Sequence, residues 1–158
     1  MKYTLNVFIF LLLNLKIFAQ TSKDEFSNMI DSALKMRYTK ISEKLTKGED
    51  IRNYFENLYL LNSENRSLNY LPISKSIKFN YIDVLDKRNE KIVEKGIRAW
   101  KVISLLDGNK FTINIIDFAI RLKNRIYNFS NGGGAMIIFE YDCVENVWKL
   151  NKFENKGI

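Results

Sequence analysis

Residues Ile97–Leu122 read IRAWKVISLLDGNKFTINIIDFAIRL, and this stretch decides the fold. Ile97 to Leu106 is apolar on both of its alternating sides, which predicts a central strand. Asp107-Gly108-Asn109-Lys110 follows as a hairpin signal, because a primed turn needs positive φ and these residues tolerate it. Phe111 to Leu122 is the returning strand. Its apolar phase shifts at Ile115-Ile116, as a β-bulge requires.

Working outward, Ile126 to Ser130, Ala135 to Asp142 and Val147 to Phe153 extend the pattern into an antiparallel meander. On the other side, Ile77, Phe79, Tyr81 and Leu85 alternate with Lys78 and Asn80, predicting a strand. The charged run Asp86 to Lys91 reads as a turn, and Ser67 to Ser76 as a connector containing the single proline. Further upstream the period changes from 2 to 3.6. Ser22-Lys23-Asp24-Glu25 is a capping-box pattern. Phe26, Met29, Ile30, Ala33, Leu34, Tyr38, Ile41 and Leu45 then form one helical stripe, closed by Gly48. A second helix is expected from Glu49-Asp50, with Ile51, Tyr54, Phe55, Leu58 and Leu61 on one side, ending at Asn62 to Asn65.

The expected fold class is therefore α+β: two N-terminal helices packed on a curved antiparallel sheet of five or six strands. In element order this outline resembles the cystatin-like and NTF2-like folds over most of residues 20–158. No motif of either family accompanies the likeness, so it implies an architecture and no activity.

Residues 1–19 read as a secretory signal peptide. Lys2 supplies the positive start, an apolar run spans Leu5 to Leu15, and Ala19 offers the small residue at the cut. Eleven helical residues reach roughly 16 Å, about half of a ~30 Å hydrocarbon core, so a stable transmembrane span is not expected. The expected organisation is a leader at 1–19 and one domain at 20–158, secreted or periplasmic, in a bacterial host.

The chain has 25 Lys and Arg against 18 Asp and Glu, a formal +7. Without Lys2 and Lys16 it keeps 23 basic against 18 acidic residues, or +5. The basic residues are scattered rather than run together, which argues against nucleic-acid binding. The excess invites a reading as a binder of anions (acidic polysaccharide, lipid headgroups or an acidic protein), while the abundance of Lys, Asn and Ile, all with A/T-rich codons, makes genome composition the stronger reading. Cys143 is the single cysteine, so no disulfide framework or cysteine metal site is available. With no histidine, the usual Ser-His and Cys-His pairs and the commonest zinc ligand are absent as well. No cofactor or metal site is expected.

The candidate site residues are few. Asn131-Gly132-Gly133-Gly134 is either a backbone cradle for a ligand or, as the stronger reading, a wide hairpin loop or bulge. Asp117 sits in mid-strand and shares a face with Arg121. In a pocket it would be an acid/base; on a wet face the two would form an ordinary ion pair. Glu140 and Asp142 lie two apart on one strand face, most simply its solvated side. Cys143 shares the parity of Ile137, Phe139 and Tyr141 and is expected in the core.

The leading functional expectation is a non-enzymatic exported protein that recognises a protein or envelope polymer, one version being an inhibitor or immunity-type protein. The alternative is an NTF2-like pocket protein, a small-ligand carrier or a histidine-independent isomerase or lyase. A cavity of several hundred Å³ with Asp117 in it would favour the pocket.

Overall fold

The computed structural model describes residues 25–45, 48–66, 68, 77 and 79–156. The leader, the capping box at 22–25 save its last residue, and nearly all of the 67–76 connector lie outside the described residues.

Helix α1 covers residues 25–44. Its stripe turns Met29, Ala33, Leu34 and Ile41 into the core, as the 3.6 period requires. Gly48 does not close this helix. It opens α2, Gly48–Glu56, which carries Phe55 into the same core.

The second helix stops earlier than its stripe suggests. Leu58–Leu61 is a strand, β1, parallel to β3 through Leu58↔Arg98 to Leu61↔Lys101. Leu58, Leu60 and Leu61 are all fully buried, with Leu60 and Leu61 on opposite faces of the sheet. A short run buried on both sides fits a strand as well as a helix, and periodicity does not separate the two. A two-residue strand β2, Asn80–Tyr81, pairs in parallel with β1 and is, among the described residues, all that forms of the strand expected at 77–85.

The charged run after it is no simple turn. Asp86 accepts from the backbone N–H of Arg88 and starts a 3-10 turn, Lys87–Asn89, that continues into helix α3, Glu90–Lys95. Gly96, at φ 89°, ends it. Helix α3 buries Val93 against Ile97, Ile120 and Leu122 on the second face of the sheet.

The rest is the expected meander, with longer strands. β3 (Ile97–Asp107), β4 (Lys110–Lys123), β5 (Ile126–Asp142) and β6 (Val147–Lys156) pair antiparallel in sequence. The β3–β4 hairpin turns at Gly108-Asn109, with Gly108 at φ 57°. The β4–β5 hairpin turns at Asn124-Arg125, both at positive φ, the geometry a primed turn demands.

The sheet order is β2-β1-β3-β4-β5-β6, so β3 is indeed interior and the six-stranded sheet is mixed, not purely antiparallel. The segments expected as two strands around the glycines are one 17-residue strand, β5. Two hydrophobic clusters result. The larger lies between α1, α2 and one sheet face, around Trp100, Ile113, Ile115 and Ile137. The smaller lies under α3. No helix among the described residues is long and apolar enough to cross a membrane.

Candidate functional site

The ladder between β4 and β5 slips where the sequence changes phase. Ile116 pairs with Gly134 and Phe118 with Asn131, so Gly132 and Gly133 together oppose Asp117. The extra residue of the bulge is thus on β5, in the glycine run, and not on β4. Gly133 takes φ 106°, a region that L side chains rarely adopt, and its N–H donates to Asn131 Oδ1 at 2.7 Å. Gly134 has no room for a side chain, since a Cβ there would collide with the Ile115 carbonyl oxygen.

The bulge lets Asp117 face α1, and the partner it meets there is Arg37, not Arg121. Arg37 is wholly buried. It donates one guanidinium N–H to Asp117 Oδ2 and another, at 2.7 Å, to Asn155 Oδ1 on β6. Burial pushes the Asp117 carboxyl above its usual range, while the Arg37 guanidinium pulls it back. Asp117 Oδ1, Arg37 Nε and the Trp100 indole N–H are covered and lack a hydrogen bond of good geometry among the described residues. Trp100 Nε1 lies beside the Tyr54 hydroxyl, whose pKa burial and the Asp117 charge raise.

Beside this pair the helices leave part of the sheet uncovered. A cleft of about 340 Å³ opens between α1, α2 and strands β3, β4 and β5. Ile41, Leu45, Leu58, Ala99 and Trp100 form its apolar wall, with Tyr54, Asp117, Ser130, Asn131 and Gly132 as polar or backbone surface. Lys44 and Arg98 flank it, and the Arg98 guanidinium sits 5.0 Å from the centre of the Tyr54 ring. A wider basin of about 700 Å³ continues from it, sharing Arg98, Ala119 and Ser130. Arg121 lines that basin, donating Nε to the Glu94 carbonyl at 3.3 Å.

Of the residues singled out in the sequence, Asp117 and Gly132 line the inner cleft and Arg121 the outer basin, while Gly133 shares the bulge with Gly132 and Gly134 is paired in the ladder to Ile116. Asp117 has little to offer a reacting molecule as placed. One oxygen is held by Arg37, the other is covered, and a general base must come within hydrogen-bond reach of its proton. Glu140 bonds Asn109 and Asn151, and Asp142 pairs with Lys149. Cys143 is exposed, against expectation. The strand ends at Asp142, whose Oδ1 accepts from the Val144 and Glu145 N–H groups and turns the chain before Cys143 can follow the core parity. No group of three or more His, Cys, Asp or Glu among the described residues is placed to hold a metal ion.

Arg37 was the residue to miss. It stands three after Leu34 and four before Ile41, a core position on α1. A charge on the apolar stripe, facing a sheet with a mid-strand aspartate, was the available signal. Compared with known proteins, the chain matches no family model, no curated protein and no solved structure.

Proposed function

We propose that this is a pocket protein, an exported carrier that holds a small, mainly apolar ligand in the cleft between its helices and the β3–β5 face. One observation carries the reading: the apolar cleft of about 340 Å³ beside Asp117, within the ~300–1,000 Å³ range of small-molecule sites. Engagement of both Asp117 oxygens, by Arg37 and by packing, supports binding rather than catalysis. The helical layer over one sheet face also supports the NTF2-like or cystatin-like outline. The parallel β1–β3 pair departs from the antiparallel sheet of that outline.

The test uses Trp100 as reporter in a Trp148→Phe background. Titration with 1-octanol should give a saturable fluorescence change. Ala119→Phe, which puts a ring into the cleft from an exposed wall position, should weaken it at least tenfold (roughly 1.4 kcal/mol). A non-saturable response, or one indifferent to the filled cleft, would remove the reading.

Recognition of a protein or envelope polymer is the second reading. Leu105 and Leu106, exposed in succession beside the β3–β4 turn at 63% and 50%, favour it as a contact tip. Affinity capture with wild type and a Leu105→Ser, Leu106→Ser variant tests it: a partner retained equally by both would exclude that tip.

A further inference from the structure

The outer basin differs from the inner cleft in charge. Lys95, Arg98 and Arg121 line it, with Lys44 on the neighbouring cleft rim, and no aspartate or glutamate lines the basin among the described residues. All four cations are exposed, and none forms an ion pair with a described residue. Some cations elsewhere on the surface are paired, as Lys149 is with Asp142 and Glu145, whereas these four, unpaired among the described residues, gather around one concavity. Arg98 lies over the Tyr54 ring, and Arg121 spends only Nε on a carbonyl, so the donors at both guanidinium ends are unused among the described residues. Asn128 and Ser130 of β5 add neutral donors on the same floor.

From this juxtaposition we propose that the basin is the head-group site for the ligand of the inner cleft, and that this ligand is an amphipathic anion: an apolar body ending in a carboxylate or phosphate. The inference rests on the pocket reading above. Arg98 stands on the boundary of the two spaces, so a molecule seated against Leu45 and Tyr54 meets it on leaving the cleft. Arginine's planar fork matches an oxyanion bidentately, and Lys95 and Lys44 add field without demanding geometry. An uncharged ligand would use only the apolar wall. A cation would be repelled.

Calorimetry at low ionic strength on the whole chain tests this with octanoate, octyl phosphate, 1-octanol and inorganic phosphate. The two amphipathic anions should bind about tenfold or more tighter than 1-octanol, and the advantage should shrink as salt is added. Arg98→Gln with Arg121→Gln should abolish that advantage, and Arg121→Gln alone, outside the inner cleft, should reduce it and leave 1-octanol unchanged. Whichever of octanoate and octyl phosphate binds tighter identifies the head group. Octanol binding as tightly as the anions would overturn the head-group site while sparing the pocket. Inorganic phosphate binding as tightly as octyl phosphate would overturn the amphipathic ligand, making the basin a free-anion site. If no alkyl probe is sensitive to Ala119→Phe, the pocket itself fails and this inference falls with it.

Discussion

Arg37 of α1 and Asp117 of β4 are joined across the helix–sheet interface, the arginine with no exposed surface and the aspartate side chain only 13% exposed. The pair also fixes α1 against β6 through Asn155. Two charges taken out of water are costly, so the pair is poor evidence of stability but strong evidence of mutual dependence. Asp117→Asn keeps the shape and leaves Arg37 as an uncompensated buried charge, a loss of ~3–5 kcal/mol. Arg37→Met with Asp117→Leu removes both charges and should recover most of it. Denaturant melts check the two variants; a double variant as unstable as the single would mean that packing, not charge, is the cause.

The glycine run makes a sharper contrast. Gly134→Ala forces a methyl into the Ile115 carbonyl and should cost at least ~1–3 kcal/mol of stability, the scale of overpacking. At Gly132 the nearest atoms to a new Cβ are 3.8 Å away, on Asp117, and Gly132→Ala should cost less than ~1 kcal/mol. Thermal midpoints of the two variants compare them directly. The reverse order would place the bulge elsewhere on β5.

Asp142 lies outside the core, and its effect is one of pH. Lys149 and the Glu145 and Val144 N–H groups hold its carboxyl down to about 2 from the ordinary 3.8. A depressed acid contributes stability above its unfolded pKa, and that contribution is lost as pH falls through its folded pKa. Wild type should therefore melt above Asp142→Asn at pH 6, and the gap should close between pH 4 and pH 2. The pair lies at the surface, where solvent screens it, so the gap is small. A gap that persists at pH 2 would show that shape, not charge, sets it.

How much of this was legible follows from which features are local. The β3–β4 turn, the phase shift at Ile115-Ile116 and the α1 stripe are each written in contiguous sequence, and each forms, although the bulge's extra residue falls on β5 and not on β4. The parallel β1 was not, because Leu58 to Leu61 satisfies helical and extended spacing alike, and only its neighbours in the sheet choose between them. Cys143 had the right parity but sat one residue past the strand's end, where parity has no meaning. Arg37 and Asp117 are eighty residues apart. Their types were readable and their meeting was not. The cleft is harder still, since it is made by what α1 and α2 fail to cover.

Cys143 gives a direct check on that correction. Being exposed in a turn, it should react with a thiol reagent in the native protein without denaturant, and Cys143→Ser should change stability within about 0.5 kcal/mol. Slow reaction that needs unfolding, with a loss of ~1–3 kcal/mol, would return the thiol to the core.

The last prediction concerns what holds α1 in place. In a folded protein most of a helix's stability comes from packing its amphipathic face, so the order of α1 depends on the face it buries. Within the stripe the burial is uneven: Leu34 is 1% exposed and Ala33 fully covered, whereas Ile30 only packs against the edge of the cluster. Leu34→Ala should leave a cavity between α1 and the sheet and cost ~2–5 kcal/mol. Ile30→Ala can be partly refilled from the edge and should fall at or below the lower end of that range. Lys35→Ala, on the exposed side of the same turn, should stay within about 0.5 kcal/mol. Denaturant midpoints in the order Leu34→Ala, Ile30→Ala, Lys35→Ala, lowest first, would match a helix whose buried face is centred on Leu34. Equal losses at Leu34 and Ile30 would mean that the helix is rolled toward Ile30. Since Arg37 lies one turn on from Ala33, that roll would also carry its guanidinium away from Asp117.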